Sequence, residues 1–244
     1  MERSFVHYIP VITTILTVPF AVEIYRRYRQ HPERLHLLWW SAGVAIYGVG
    51  TLTEALTTLV GWREPIFRVW YISGALLGGA PLAQGTVYLL LRRRTAHILT
   101  GVLITFIATA SVCVWLSPIQ YGLVEAHRLT GRVFEWRWVR LFSPFINLYA
   151  VIFLIGGAIL SALRYRARPE ARHRVIANVL IAIGAVLPGI GGTATRMGYT
   201  EVLYVTELLG LLLIWRGYRL SVAPAPAAAL DPRSAPAGVP PVRR

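Results

Sequence analysis

Seven runs of about twenty predominantly apolar residues, separated by short arginine-bearing breaks, constrain this chain more tightly than any other feature of its sequence. They cover residues 5–25, 37–61, 66–91, 95–117, 141–163, 174–195 and 199–218. Wound as an α-helix, a run of that length matches the hydrocarbon thickness of a bilayer. Inside lipid, a helix satisfies its backbone hydrogen bonds within its own segment. Composition points the same way: 55% of the 244 residues are hydrophobic and only 15% are charged, with a mean hydropathy of +0.54. Ordinary globular domains carry about 25% charged residues. The expectation is an all-α, polytopic membrane protein with seven transmembrane helices in residues 1–222. An Ala/Pro-rich cytoplasmic tail, 223–244, is expected to be disordered, because its composition cannot bury enough apolar surface to fold. Met197, Gly198 and Tyr199 are expected to form a tight turn between the last two spans. The first span has no small-x-small cleavage site and runs into Arg26–Arg29, so it reads as an uncleaved anchor.

The charge is distributed by side. All 25 basic residues are arginine, and 17 of them fall in one set of breaks: 26–34, 92–94, 164–174 and 216 onward. The other set, with Arg3, holds 8. The positive-inside rule then places the N-terminus outside and the C-terminus inside, as an odd number of spans requires. The net charge of +14 is thereby explained as a topology signal and a complement to anionic headgroups at the inner face, with no nucleic acid partner implied. An arginine-only chain fits a GC-rich bacterial genome, and the expected location is the inner (plasma) membrane, crossed many times. No cofactor is expected. The absence of lysine excludes a retinal Schiff base and a phosphate-loop lysine, and the single Cys113 excludes a disulfide or a cysteine metal site.

The one long connection, the outer loop 118–140, offers two readings. Leu129–Thr130–Gly131–Arg132 suits a turn between two short alternating runs, hence a hairpin, which is preferred. Phe134, Trp136 and Trp138 equally suit a segment lying at the membrane interface.

The chain also matches itself. Arg27-Tyr28-Arg29-Gln30-His31-Pro32-Glu33-Arg34-Leu35-His36 agrees at six of ten positions with Arg164-Tyr165-Arg166-Ala167-Arg168-Pro169-Glu170-Ala171-Arg172-His173, at an offset of 137. The same offset aligns Gly61 with Gly198, Trp62 with Tyr199 and Glu64 with Glu201. Two parallel copies follow, repeat 1 over about 5–91 and repeat 2 over about 141–220, joined by a linker helix over about 95–117. Pro32, Pro169, Glu33 and Glu170 are expected at helix starts, where proline is tolerated and acids complement the helix dipole. In topology the chain resembles the three-plus-one-plus-three membrane proteins: SWEET sugar transporters, PQ-loop proteins and, in outline, microbial rhodopsins. It is also similar to the seven-helix sensor regions found ahead of bacterial kinases. It contains no Pro-Gln pair and no retinal lysine, so the resemblance implies a fold and carries no site residue over.

Ionisable residues at membrane depth are costly and mark function by default. Two carboxyls qualify. Glu207 falls near the middle of the seventh run, and Glu54 lies roughly 7–8 Å outward of the middle of the second. Burial favours the neutral acid, so each could carry a proton, or could simply tie helices together by hydrogen bonds. Tyr47, Gly50, Thr51, Glu54 and Thr58 share one helical face. In the third run Tyr71, Gly74, Gly78, Pro81, Gly85 and Tyr88 alternate by three and four, with Gln84 beside them, which suits close packing or a gate kinked at Pro81. Pro188-Gly189-Ile190-Gly191-Gly192 is expected to distort the sixth helix, making Pro188 and Gly191 gating candidates. Asn147 and Tyr149 on the fifth span and Trp70 on the third are further lining groups. Arg68 and Arg196 are expected to snorkel outward or to meet Glu54 or Glu201, and Glu23 to pair with a nearby arginine.

No serine, histidine and acid cluster at one depth, so no catalytic set is legible and an enzyme finds no support; no metal motif is present either. The leading expectation is a transporter with a polar cavity between spans 2, 3, 5, 6 and 7. There Glu54, Glu207, Tyr47, Thr51, Tyr71, Gln84 and Asn147 would bind a small solute, proton or cation. The alternative is a membrane receptor that signals through a separate cytoplasmic partner, with Arg92, Arg93 and Arg94 contacting that partner or lipid. A homo-oligomer is an expected assembly in either case.

Overall fold

A computed structural model describes residues 5–126, 128–167 and 171–223. Among these residues the elements are helical. They comprise α1 (Ile9–Gln30), α2 (Leu35–Val60), α3 (Glu64–Trp70), α4 (Ala80–Leu90), α5 (Arg93–Leu116), α6 (Phe142–Ala150), α7 (Gly156–Tyr165), α8 (Arg172–Arg196) and α9 (Thr200–Val222). Wider π turns, Tyr71–Leu77 and Val151–Ile155, join α3 towards α4 and α6 to α7, so the nine pieces form seven long helical stretches. Six of the seven are long and apolar enough to cross a membrane. The seventh, α9, is of similar length but carries Glu201, Glu207, Arg216 and Arg219. The expected runs and the observed helices agree to within about two residues at most ends. Helix α1 continues to Gln30 rather than 25, because arginines at the end of a span can extend the helix beyond the apolar run.

Polarity in this bundle is arranged opposite to that of a water-soluble core. Thr13, Thr51, Thr53, Glu54, Thr57, Thr58, Ser73, Gln84 and Thr86 are buried, whereas Ile98, Val102, Leu116 and Phe145 are about 60% exposed. A surface of large aliphatic groups around a small, polar interior suits hydrocarbon better than water, and together with six helices apolar enough to cross a membrane it suggests a helical membrane protein.

Glycines set the helix spacing. A Cβ on Gly184 would stand 2.7 Å from the Gly210 carbonyl oxygen, and one on Gly217 would stand 2.7 Å from that of Ala177. Only hydrogen fits at these points, and α8 and α9 pack backbone to backbone. Their connection is the expected turn: Gly198 has φ 105, Tyr199 N–H donates to Ala194 O at 3.0 Å and Gly198 N–H to Thr195 O at 3.0 Å. That pattern needs a left-handed residue after the helix, a conformation glycine adopts without a steric penalty.

Several local expectations are corrected. Pro81 kinks no helix, because the third stretch breaks earlier, at Gly78 (φ 26) and Gly79, and Pro81 sits in the first turn of α4 where its missing N–H costs nothing. Nor do Pro188 and Gly191 break α8, which runs unbroken to Arg196; Gly191 instead receives Thr206 and Leu203 of α9 against its bare backbone. The 118–140 loop is not a regular hairpin. It is a cap of short 3-10 turns closed by the antiparallel bridge of Ile119 with Phe134, with a second bridge, Glu125 with Arg128, inside it, and Gly131 starts a 3-10 turn rather than a strand reversal. Its Leu129, Val133, Phe134 and Val139 are buried against Phe67, Trp70 and Tyr71, while Trp136 and Trp138 stack on each other at 5.8 Å and remain exposed. Arg68 neither snorkels nor meets Glu54. It is buried, pairs with Glu64 at 2.7 Å and donates to the carbonyls of Val114 and Ser117, which closes the end of α5. Pro32 and Glu33 lie in the connection before α2 rather than in its first turn. Pro169, Glu170 and the tail from 224 lie outside the described residues.

Candidate functional site

Long side chains of α2 and α9 reach across to each other, and towards the arginine-poor end each helix brings one carboxyl to a similar distance from its end. Glu54 lies six residues before the end of α2 and Glu207 seven after the start of α9, roughly 10 Å from the helix ends in both cases. Glu207 therefore sits two turns into its helix rather than at its middle, because α9 runs on to Val222. The two carboxyl groups are neighbours. Glu54 is 3% exposed; Glu207 is partly exposed as a residue, but its Oε2 is sealed.

Their surroundings are specific. The Trp70 indole N–H donates to Glu54 Oε1 at 2.9 Å, and the Tyr47 hydroxyl donates to the Glu207 backbone carbonyl at 2.9 Å. Gly50 makes the first contact achievable: its bare backbone faces Gly74, where a Cβ would lie 3.4 Å from the Gly74 Cα, so α2 closes onto the π turn. No donor from another residue reaches Glu54 Oε2 or Glu207 Oε2. Two carboxylates cannot donate to each other, so a hydrogen bond between them would need a proton on one of the two.

Towards the arginine-poor end the polar groups continue. Tyr204, buried one turn before Glu207, lies beside Thr58, itself one turn beyond Glu54. The Tyr204 ring meets the His7 ring edge-on at 6.3 Å, and His7 lies 3.6 Å from Glu201, whose carboxylate is partly exposed. Towards the arginine-rich end the contents are apolar: Phe20, Val44, Leu82, Leu154 and Leu211 form one buried cluster. A cavity of about 50 Å3 within it is bordered by Tyr47, Gly78 and Pro188.

The expected set does not converge on one polar cavity. Glu54, Glu207 and Tyr47 come together. Thr51 faces α1, where its hydroxyl meets that of Thr14 at 2.9 Å. Tyr71 is buried under the 118–140 cap, 3.3 Å from Ser143. Gln84 is fully buried on the opposite side, donating to Thr100 at 2.8 Å and to Ala96 O at 3.1 Å and accepting from Tyr149. Asn147 is exposed beside the Gly78 break. Arg92, Arg93 and Arg94 are exposed, with Arg93 donating to Glu33 O at 2.8 Å. Tyr204 and the His7–Glu201 pair were not legible as partners of the carboxyls, because nothing in the spacing along one helix shows which residue of another it faces. Their shared depth near the arginine-poor ends of two runs was the available signal. No known family, curated protein or solved structure matches the chain.

Proposed function

We propose that the chain is a membrane transporter that moves protons, alone or with a small solute, through the Glu54–Glu207 pair. What supports this reading is two neighbouring carboxyl groups within apolar helices, each with a buried oxygen that no other residue bonds, between which one proton would close a hydrogen bond. A fixed metal or alkali cation would require several oxygens turned towards it, whereas here an indole N–H already takes one oxygen of Glu54. A proton needs only the pair. The polar groups from Glu201 through His7, Tyr204 and Thr58 form the approach from the arginine-poor side, and the apolar cluster around Phe20 and Leu211 closes the other side. Release would then need movement at the Gly78–Gly79 break, where the third stretch has already lost helical continuity.

The proposal includes seven spans in a bacterial inner membrane, with the arginine-poor end and N-terminus outside. It also includes the parallel repeat. Gly61 and Gly198, aligned by the offset of 137, both have positive φ, 79 and 105, and Glu64 and Glu201 both enter the first turn of the following helix. The same offset aligns Glu207 with Trp70. The donor that holds Glu54 from the first copy is thus matched in the second copy by the carboxyl that meets it, which puts the pair where the copies join.

The test is proton uptake into proteoliposomes under an imposed potential, read by an internal pH dye. The protein should acidify the lumen and Glu207→Gln should not, while the variant keeps its melting temperature. Equal uptake by the two proteins would remove the carboxyl pair from the transport path.

A further inference from the structure

At the arginine-rich end, α1 and α9 leave between them a groove of about 650 Å3. Its lining changes chemistry along its length. Val18, Pro19 and Val22 give an apolar track on α1, and one to two turns further along the same helix stand Arg26 and Arg27. The acid in the groove is already engaged: Glu23 accepts from Trp215 Nε1 at 2.8 Å and pairs with Arg219 at 3.0 Å, and that guanidinium lies 5.0 Å over the Trp215 ring. Arg26 is exposed, and it and Arg27 leave the groove with uncompensated positive charge. Because α1 is apolar enough to cross a membrane, the Val18 end of the groove lies at hydrocarbon and the Arg26 end at headgroups, with Trp215 at the boundary.

We propose that this groove binds one anionic phospholipid, its phosphate on Arg26 and Arg27 and one acyl chain along Val18, Pro19 and Val22. A glycerophosphate ester supplies both things the lining recognises: negative charge for a guanidinium pair, and a chain for the apolar track. The site is distinct from general headgroup attraction. Arg92, Arg93 and Arg94 are as basic, but they stand exposed and do not line this groove.

Native mass spectrometry of the purified full chain tests this, with phosphatidylglycerol, phosphatidylcholine of the same acyl composition and glycerol 3-phosphate as probes. Phosphatidylglycerol should remain bound one to one, preferred over phosphatidylcholine by about thirty-fold, the effect of two surface arginines on an anionic headgroup. The R26Q/R27Q double variant should lose that preference and R92Q/R93Q should keep it. Val22→Trp, which fills the acyl track, should release the lipid. Equal retention of the two lipids, or a preference that survives R26Q/R27Q, overturns the proposal. Tight binding of glycerol 3-phosphate alone would overturn the lipid assignment in favour of a soluble phosphate ester. A dimer that Val22→Trp dissolves would make the groove an interface between copies and would also overturn it.

Discussion

Two polar clusters are buried in this bundle, and they differ in whether their hydrogen bonds close. Around Gln84 both amide donors have acceptors and the carbonyl has Tyr149, so the cluster is complete as it stands. Around Glu54 and Glu207 one oxygen of each carboxyl has no donor, and a hydrogen bond between them needs an added proton. A satisfied network at membrane depth fixes helices. An unsatisfied one costs stability in every state that lacks the proton, and it is retained where the proton is the point. Burial alone would have ranked Gln84, fully buried, above Glu207, which is partly exposed. The state of the hydrogen bonds reverses that order.

The largest test of this difference replaces each centre with a neutral partner. Glu54→Gln or Glu207→Gln supplies a permanent donor to the other carboxyl, so the contact survives without an exchangeable proton. Proton flux should fall by at least about a hundredfold, the scale expected when a proton-transferring side chain is removed. Melting should be unchanged or raised, and a variant that melts much earlier would show that the pair holds the bundle together. The mirror experiment is Gln84→Leu. It strands the Tyr149 hydroxyl and removes one of the partners of Thr100, which keeps Ala96 O and Tyr88, at a cost of about 1–3 kcal/mol. A melting temperature lower by several degrees with flux per folded molecule retained is the expected result. Loss of flux without loss of stability would make the two clusters alike.

A smaller effect is expected at the approach. Removing the His7 ring by His7→Ala breaks its contacts with Tyr204 and Glu201 but leaves the carboxyl pair intact. Flux should slow a few fold and retain its dependence on Glu207. Abolition would place His7 in the carrier itself; unchanged flux would mean that protons reach the pair by another route.

The sequence was most informative where one helix suffices to decide. Apolar run length located the spans, because lipid thickness is a constraint on each segment alone. Glu54 and Glu207 stood out because a carboxyl in an apolar run is costly whatever its neighbours. Their meeting was not legible, since it depends on which residues of α9 the side chains of α2 reach, residues 54 and 207 being far apart in the chain. Proline and glycine misled for a related reason. Pro81 and Pro188 were read as breakers of the helices that contain them. In fact Pro81 starts a helix, and Pro188 is accommodated within α8, where it packs against Gly210. A proline breaks a helix only where the chain has nothing to gain from continuing, and here close contact of α8 with α9 outweighs one missing bond.

Thr51 provides the smallest and most discriminating test. By spacing it belongs to the face of Tyr47, Glu54 and Thr58, and the sequence therefore places it in the site. Its hydroxyl, however, lies 2.9 Å from that of Thr14 of α1 and 3.2 Å from the Gly48 carbonyl and gives its one proton to one or the other, so like Gln84 it has partners from the protein and needs no added proton. Thr51→Val keeps the shape and removes both contacts. Between helices in a bilayer such a bond is worth about 0.6 kcal/mol on average, because the separated helices also find partners. Melting should fall by no more than about 2 °C, with flux and its pH dependence unchanged. If Thr51→Val instead slows flux while melting is unaffected, then proximity to Glu54 along α2 matters more than which hydrogen bonds are closed. The distinction between the two clusters would then rest on depth rather than on satisfaction.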